Sequence, residues 1–476
     1  MTERNNKIMV LHPSLDIQDN VLTVGFSEKE FGEENKFQNK NHHLIAISDD
    51  INKKTDVHII QQSKYEHNGK MYMFEPNTDN KERRLVKLNE RWSRELLYSS
   101  RYNSTIDKQS LYYKLKNRLK AHVKLENEIE YNLIISWIIM TYFYPIFPAI
   151  PYLHIKAVKG SGKTTTLDFI KLTAFNGSKE IATVASMRDK IDGQRSTFII
   201  DQADNSLGTK SNNAMVDIFT DSYKKSGGKV SKMVEEKRKH VVVDFDTYCP
   251  KAFASIRELN QDLRDRCIQI QLIRSKENLA FLDTDSPVWL ELRNELYKLL
   301  ISNFGNIKNI FNELNSKYLE SNKMIGRKLE LWLPIETIMN LMEVDEETIT
   351  ESKNYFLEKS KDTEARLSHS EWLVIDKILS LLQGLEHHWL FTNDIAKDLE
   401  FENLDEESEN ILKQKNQYVG NIIKRLNLAS KKDHTRKGNT WLFEKARVEN
   451  IRDAYSGENT SHPITTEKDI TNVIPF

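Results

Sequence analysis

Along the first hundred residues, apolar side chains fall in short runs separated by Asn, Lys, Asp and Gly. Residues 21–26, 44–48, 57–60 and 71–74 are such runs, and they predict short β-strands. The pattern changes near residue 105, and a helical lead-in is expected to continue to 144. Residues 133–144 are almost wholly apolar, but Pro145, Pro148 and Pro151 end the run. It falls short of the ~20 residues needed to cross a bilayer. A helix buried beneath a core accounts for it, so a soluble protein with no membrane partner is expected.

From about 150 to 275 the periodicity alternates between strand and helix, the order of an α/β core built on a sheet. Residues 151–157, 181–185, 195–201, 241–245, 252–255 and 268–272 read as strands. Residues 164–175 read as a helix, with Leu167, Phe169, Ile170 and Leu172 on one face and a stop at Asn176 and Gly177. Residues 278–362 turn helical, most clearly over 288–302. The last stretch predicts helices over 371–382, over 392–399 with its own N-cap, and over 407–426. A basic turn at 431–438 and a β-prone run at 440–443 follow. Three helices and then a hairpin with a basic tip is the order of a winged helix. The expected division is a mixed, mainly β domain at 1–104, a helical lead-in and α/β core at 105–277, and a helical lid at 278–362. A winged helix at 366–456 and a flexible tail at 457–476 complete it.

At 476 residues, two to four domains are expected. The net charge of −1 conceals local clusters of lysine and arginine, so it does not exclude nucleic acid. Cys249 and Cys267 have no metal-ligand spacing and are expected as buried thiols in a reducing cytoplasm. The polar start of the chain lacks a signal-peptide core. His42 and His43 lack a nearby ligand partner and are expected at the surface.

Gly160, Ser161, Gly162, Lys163, Thr164 and Thr165 lie between a predicted strand and a predicted helix. That order builds a phosphate cradle. The glycines let successive N–H groups turn toward phosphate oxygens, and the helix N-terminus adds partial positive charge. Lys163 is expected on the β- and γ-phosphates of ATP, and the Thr164 hydroxyl on Mg²⁺. Ala157 stands where the P-loop pattern opens with glycine. The apolar run ending at Asp201 supplies the acid that would hold Mg²⁺ from a neighbouring strand. Where hydrolysing enzymes usually carry glutamate, the next residue is Gln202, with Asp204 beyond. Three readings stay open: Asp204 substitutes, Gln202 orients water for slow hydrolysis, or Gln202 marks an ATP-holding form.

Lys237, Arg238 and Lys239 tip a predicted hairpin and suit a phosphate backbone, although charge runs are also common on solvated turns. Arg264 and Arg266 precede a β-prone run, and Arg327 sits in a predicted lid helix. Arg264 and Arg266 are candidates for reaching a neighbouring subunit's γ-phosphate, against the alternative of a pair of surface salt bridges with Asp262 and Asp265, and Arg327 is a candidate for similar work from the lid.

The order of GSGKT, IIDQAD, basic hairpin, KAFAS, DLRDR and GRKLE resembles the AAA+ superfamily. The hairpin before KAFAS and the terminal winged helix resemble mini-chromosome-maintenance-like helicases. The nearest likeness is to self-loading replicative helicases, or Rep initiators, of staphylococcal pathogenicity islands and cassette chromosomes, over about residues 105–456. The resemblance implies Lys163 and Thr164 as Walker A, Asp201 as Walker B, Ser255 as sensor 1 and Arg327 as sensor 2. It implies Arg266, with Arg264 its rival, as arginine finger, and residues 237–239 as a pore hairpin tip. It further implies an ATP-driven DNA helicase that forms a homo-oligomeric ring, a hexamer, on single-stranded DNA. The C-terminal domain would meet duplex DNA through Lys431, Lys432, Arg436 and Lys437. Two rivals remain: an ATP-switched initiator or loader that does not unwind, and a P-loop enzyme acting on a small molecule.

Overall fold

The structure, a computed structural model, describes residues 8–31, 37–49, 54–62, 64–74, 106–158, 160–179, 190–208, 214–236, 239–274, 277–321, 324–361, 369–401, 410–435 and 438–455. The chain divides into two compact units, Met1–Thr363 and Glu364–Phe476.

The first unit opens with β1 (Ile8–Leu11), β2 (Leu15–Gln18), β3 (Val21–Phe31), β4 (Phe37–Asp49), β5 (Lys54–Ile60), β6 (Lys64–His67) and β7 (Lys70–Phe74). They form an antiparallel sheet of order β2-β3-β4-β5 and a three-stranded sheet of order β1-β7-β6. Alternation puts Leu22, Val24 and Leu44 into the main core and Val21, Ile45 and Tyr72 into a satellite core. The surface expectation for two histidines fails here. His42 and His43 are 1% and 7% exposed, and their rings stack on Phe26 and Phe74. Burial pushes the His43 pKa down to about 4.

Two helices follow, α1 (Lys108–His122) and α2 (Glu128–Phe143). Asn127 caps α2 by accepting from the Glu130 N–H, and residues from Glu130 to Phe143 are buried on every side. A helix buried all round must lie inside, and this one packs among the other helices of the unit. Its Trp137 indole donates to the Pro151 carbonyl, and its Tyr142 hydroxyl donates to the Thr173 carbonyl. No described helix is long and apolar enough to cross a membrane.

The core elements are β8 (Tyr152–Ala157), α3 (Lys163–Thr173), β9 (Ser178–Lys179), β10 (Phe198–Ile200), α4 (Asp204–Leu207), α5 (Ala214–Asp221), β11 (Lys229–Glu236), β12 (Lys239–Asp246), β13 (Lys251–Ser255), α6 (Gln261–Arg264) and β14 (Cys267–Leu272). Five of the strands make one parallel sheet of order β14-β8-β13-β10-β9. The strand expected over 181–185 lies outside the described residues. The one expected over 195–201 is regular only at 198–200, because Arg195 adopts a left-handed φ of 52°. Among the described residues β11 and β12 pair only with each other, as a ribbon leaving the sheet. The unit closes with α7 (Val288–Ser321), α8 (Gly326–Leu341) and α9 (Glu346–Lys361). Cys249 and Cys267 are free and buried.

The second unit contains α10 (His369–Leu381), β15 (His387–Phe391), α11 (Thr392–Ala396), α12 (Ile411–Arg425), β16 (Ala429–Thr435), β17 (Gly438–Glu444) and α13 (Lys445–Tyr455). A small antiparallel sheet of order β15-β17-β16 packs on a core that includes Val374, Ile378, Ile395, Val419, Ile423 and Phe443. Thr392 does not cap α11. Its hydroxyl donates to the Asn439 carbonyl and accepts from the Trp441 indole, tying the helix to the sheet instead. The architecture is mixed α/β: an N-terminal β-rich region, a central parallel sheet with helices, and a small C-terminal antiparallel sheet.

Candidate nucleotide site and basic elements

At the end of β8, Gly160 and Gly162 adopt φ of 80° and 87°, the left-handed region that glycine enters without strain. Ala157 lies still inside β8, extended and paired with Leu272, so its missing freedom costs nothing. The Ser161 hydroxyl donates to the Val158 carbonyl at 2.7 Å and ties the loop together. Gly162 forms the N-cap of α3, whose first N–H groups therefore point out of the loop.

Asp201 follows β10, two strands away across β13. Lys163 Nζ stands 3.1 Å from its Oδ1, and the Thr164 hydroxyl donates to its Oδ2 at 3.3 Å. The Gln202 N–H, turned by a left-handed φ of 54°, donates to Asp201 Oδ1 at 2.8 Å. Lys179 on the edge strand β9 pairs with Asp168 at 2.8 Å and lies 3.9 Å from Asp201 Oδ2. The loop, its lysine and threonine, and the distant aspartate thus meet at one point. One carboxylate and one hydroxyl, both hard oxygen donors, suit Mg²⁺, which takes few protein ligands and completes its shell with water and phosphate. Among the described residues no group of three or more His, Cys, Asp or Glu could hold a metal unaided.

Gln202 is exposed, and its side-chain oxygen accepts from Asn205 at 3.4 Å. Asp204 begins α4 and is half-buried. Ser255, fully buried at the end of β13, donates to the Arg257 carbonyl at 2.7 Å and accepts from His154 Nε2 at 2.8 Å. Its proton is thus committed to backbone. The His154 ring is buried, with Nδ1 unpartnered, and burial lowers its pKa to about 4.

Arg266 and Arg327 gather elsewhere, while Arg264 reaches Glu258, the partner of Lys156 near the end of β8. Residue 266 immediately precedes β14, whose first residue pairs with Tyr152, the first of β8. That end of the sheet is about 16 Å from the end that carries the glycine loop, five residues along the strand. Arg266 is 8% exposed, donates to the carbonyls of Thr220 and Asp262, and lies 5.0 Å from the Tyr223 ring. Arg264 pairs with Glu258 at 2.9 Å, not with Asp262 or Asp265. Arg327, at the start of α8, faces Asp265 at 3.7 Å and keeps 43% of its side chain exposed. Burial pushes the Asp265 carboxyl up, against the pull of Arg327 and Arg264.

In the ribbon, Lys239 opens β12 opposite Glu236. Lys237 and Arg238 lie outside the described residues, as do Arg436 and Lys437. Lys431 and Lys432 belong to β16 rather than to a turn, both are exposed, and Lys432 Nζ stands 5.1 Å over the Trp441 ring. The ribbon root is clamped. Arg195 pairs with Asp246, and the Asp246 N–H donates to Asp192 at 2.8 Å. His12 and Ser14 of the N-terminal sheets bond to the carbonyls of Asp192 and Gly193. A Cβ on Gly228 would lie 2.8 Å from Tyr248, so the ribbon leaves the sheet through a gap that admits no side chain.

Sequence reasoning missed Lys179 and Arg274. The first sits on a two-residue strand without periodicity; the second follows β14, and its Nε would lie 3.9 Å from a Cβ on Gly160.

No family model matches the chain, and no curated protein matches it. Among solved structures, a full-length MCM homolog from Methanopyrus kandleri aligns at 9% identity and TM-score 0.34, over 71% of this chain and 78% of that one. The C-terminal region of NrS-1 aligns at 14% identity and TM-score 0.32, over 80% and 82%. JCV helicase aligns at 12% identity and TM-score 0.20, over 60% and 74%. These likenesses are distant and show no family for this chain. At these scores the functional reading rests on the site itself.

Proposed function

We propose that this protein is an ATP-dependent DNA helicase and replication initiator of a mobile genetic element. It would act as a ring oligomer, a hexamer, that translocates on single-stranded DNA. The observation that carries the reading is the convergence of Lys163, Thr164 and Asp201 at a glycine loop, within a sheet from which the β11–β12 ribbon leaves. Gly160 to Thr165 would cradle the phosphates, with Lys163 on the β- and γ-phosphates. Thr164 and Asp201 would hold Mg²⁺, which supplies charge neutralisation at the transferred phosphoryl group. Exposed Gln202 would orient the attacking water without accepting its proton, with Asp204 as the alternative group. The buried hydroxyl of Ser255 supports a sensor role exerted through the placement of Arg257, not through direct contact.

Arg327, facing Asp265 at the far end of the sheet from its own loop, would serve a neighbour's nucleotide; Arg264, tied through Glu258 to Lys156, is its rival for that role. The carbonyl bonds of Arg266 favour a bracing role under that surface over a finger. Residues 237–239 would grip single-stranded DNA through its backbone. Lys431, Lys432, Arg436 and Lys437 would contact duplex DNA from a winged helix.

The test is strand displacement on a forked duplex, together with ATPase rate with and without single-stranded DNA. The expected result is DNA-stimulated hydrolysis and unwinding, both lost in Lys163→Ala, with hydrolysis raised in Gln202→Glu. Protein that binds ATP and DNA and never unwinds would instead be the switched initiator or loader, a reading that Gln202 motivates. ATPase activity indifferent to DNA would point to a small-molecule enzyme.

A further inference from the structure

The phosphate cradle leaves the rest of the nucleotide unplaced, and the strand order limits where it can go. Asp201 and Thr164 draw the metal and the γ-phosphate end toward β10, on one side of β8. The α-phosphate, ribose and base must then leave the loop on the opposite side, where β14 is the neighbouring strand. The last residues of β14 and β8, Leu272 and Ala157, are a register pair, so Ile273 and Val158 emerge side by side. Both are unusually exposed for large aliphatic residues, at 43% and 56%. Arg274, also exposed, comes next, and its Nε would stand 3.9 Å from a Cβ on Gly160. An apolar ledge with a guanidinium at its loop-facing edge thus borders the cradle on the side away from Asp201.

We propose that Val158, Ile273 and Arg274 seat the base and ribose of the nucleotide whose phosphates occupy the Gly160–Thr165 loop. The assignment rests on the nucleotide-binding reading above. The flat apolar face of the base covers Val158 and Ile273. The Arg274 guanidinium, planar and weakly hydrated, stacks on the ring edge or meets the α-phosphate.

Equilibrium binding of ATP and of inorganic tripolyphosphate to native protein, Ile273→Ser and Lys163→Ala tests it. The phosphate chain alone engages the cradle; only ATP also needs the ledge. Ile273→Ser is expected to weaken ATP about fivefold or more while leaving tripolyphosphate within twofold. Lys163→Ala is expected to weaken both. ATP affinity unchanged in Ile273→Ser, or an equal loss for both ligands, would overturn the assignment. So would a changed oligomeric mass of Ile273→Ser in light scattering, which would make the ledge a surface between copies of the chain. If native protein binds neither ligand, or Lys163→Ala binds both normally, the nucleotide-binding reading fails and the ledge assignment falls with it.

Discussion

Asp201→Asn separates two roles that one carboxylate performs. In the structure Asp201 holds Lys163 at 3.1 Å and accepts from Thr164 at 3.3 Å, the same groups that a nucleotide and its metal would use. ATP without metal must draw Lys163 away from Asp201, and it approaches a carboxylate of its own sign. The side chains of the pair are 14% and 24% exposed, so solvent screens the attraction. Its worth is therefore about 1 kcal/mol, not the several that a low-dielectric Coulomb estimate gives. Since 1.4 kcal/mol is a factor of ten, releasing Lys163 amounts to about fivefold in affinity. Asp201→Asn is expected to bind ATP about fivefold more tightly in EDTA and to gain nothing on adding Mg²⁺, whereas native protein gains affinity with the metal. Titration of a fluorescent ATP analogue under both conditions reads this directly. A variant that binds metal-free ATP more weakly than native protein, or that still responds to Mg²⁺ as native protein does, would refute the reasoning.

Arg195→Met removes one partner of the ion pair at the ribbon root and leaves Asp246 partly buried; the first unit should lose about 2–3 kcal/mol in urea unfolding, and a loss under 0.5 would show that the pair does not clamp the root. His43 and His154, both held near pKa 4 from 6.5, are protonated more readily when unfolded. Their contribution is fully present above pH 6.5 and is lost as pH falls toward 4, up to about 3 kcal/mol for each; His154→Gln should flatten that part of the stability profile. Lys432→Ala should weaken duplex binding at low salt and lower the slope of log affinity against log salt by about one; an unchanged slope would remove Lys432 from the phosphate contacts.

The glycine turn between β8 and α3 was legible because its parts are local: a strand, two glycines and a helix start fall within twenty residues. Asp201 was legible because a buried strand writes an apolar run that stops at its acid. The orientation of side chains around these motifs was not. Arg266 and Ser255 occupy the expected chain positions, but nearby carbonyls capture their hydrogen bonds, and no spacing rule foretells that. His42 and His43 read as polar, yet aromatic partners from other strands bury them. Thr392 looked like a cap until Trp441, almost fifty residues on, claimed its hydroxyl. Lys179 and Arg274 reach the site only because β9 and β14 flank the sheet, a fact of strand order absent from any local window.

The ribbon formed by β11 and β12 pairs with no other described strand, and its register pair Met233 and Val242 stays 64% and 63% exposed. An isolated two-stranded ribbon is marginal in water. Ser231 donates to Asp244 within the blade, and the contacts at Gly228, Asp246 and Tyr248 fix the ribbon where it departs from the sheet. The root and the blade are therefore separable parts. Residues could be added or removed in pairs beyond the root, or a different tip grafted, without disturbing the core beneath. A single methyl group at Gly228 would disturb it at once. Natural variation in what the ribbon touches has room to accumulate in its length and tip, while the socket tolerates almost none.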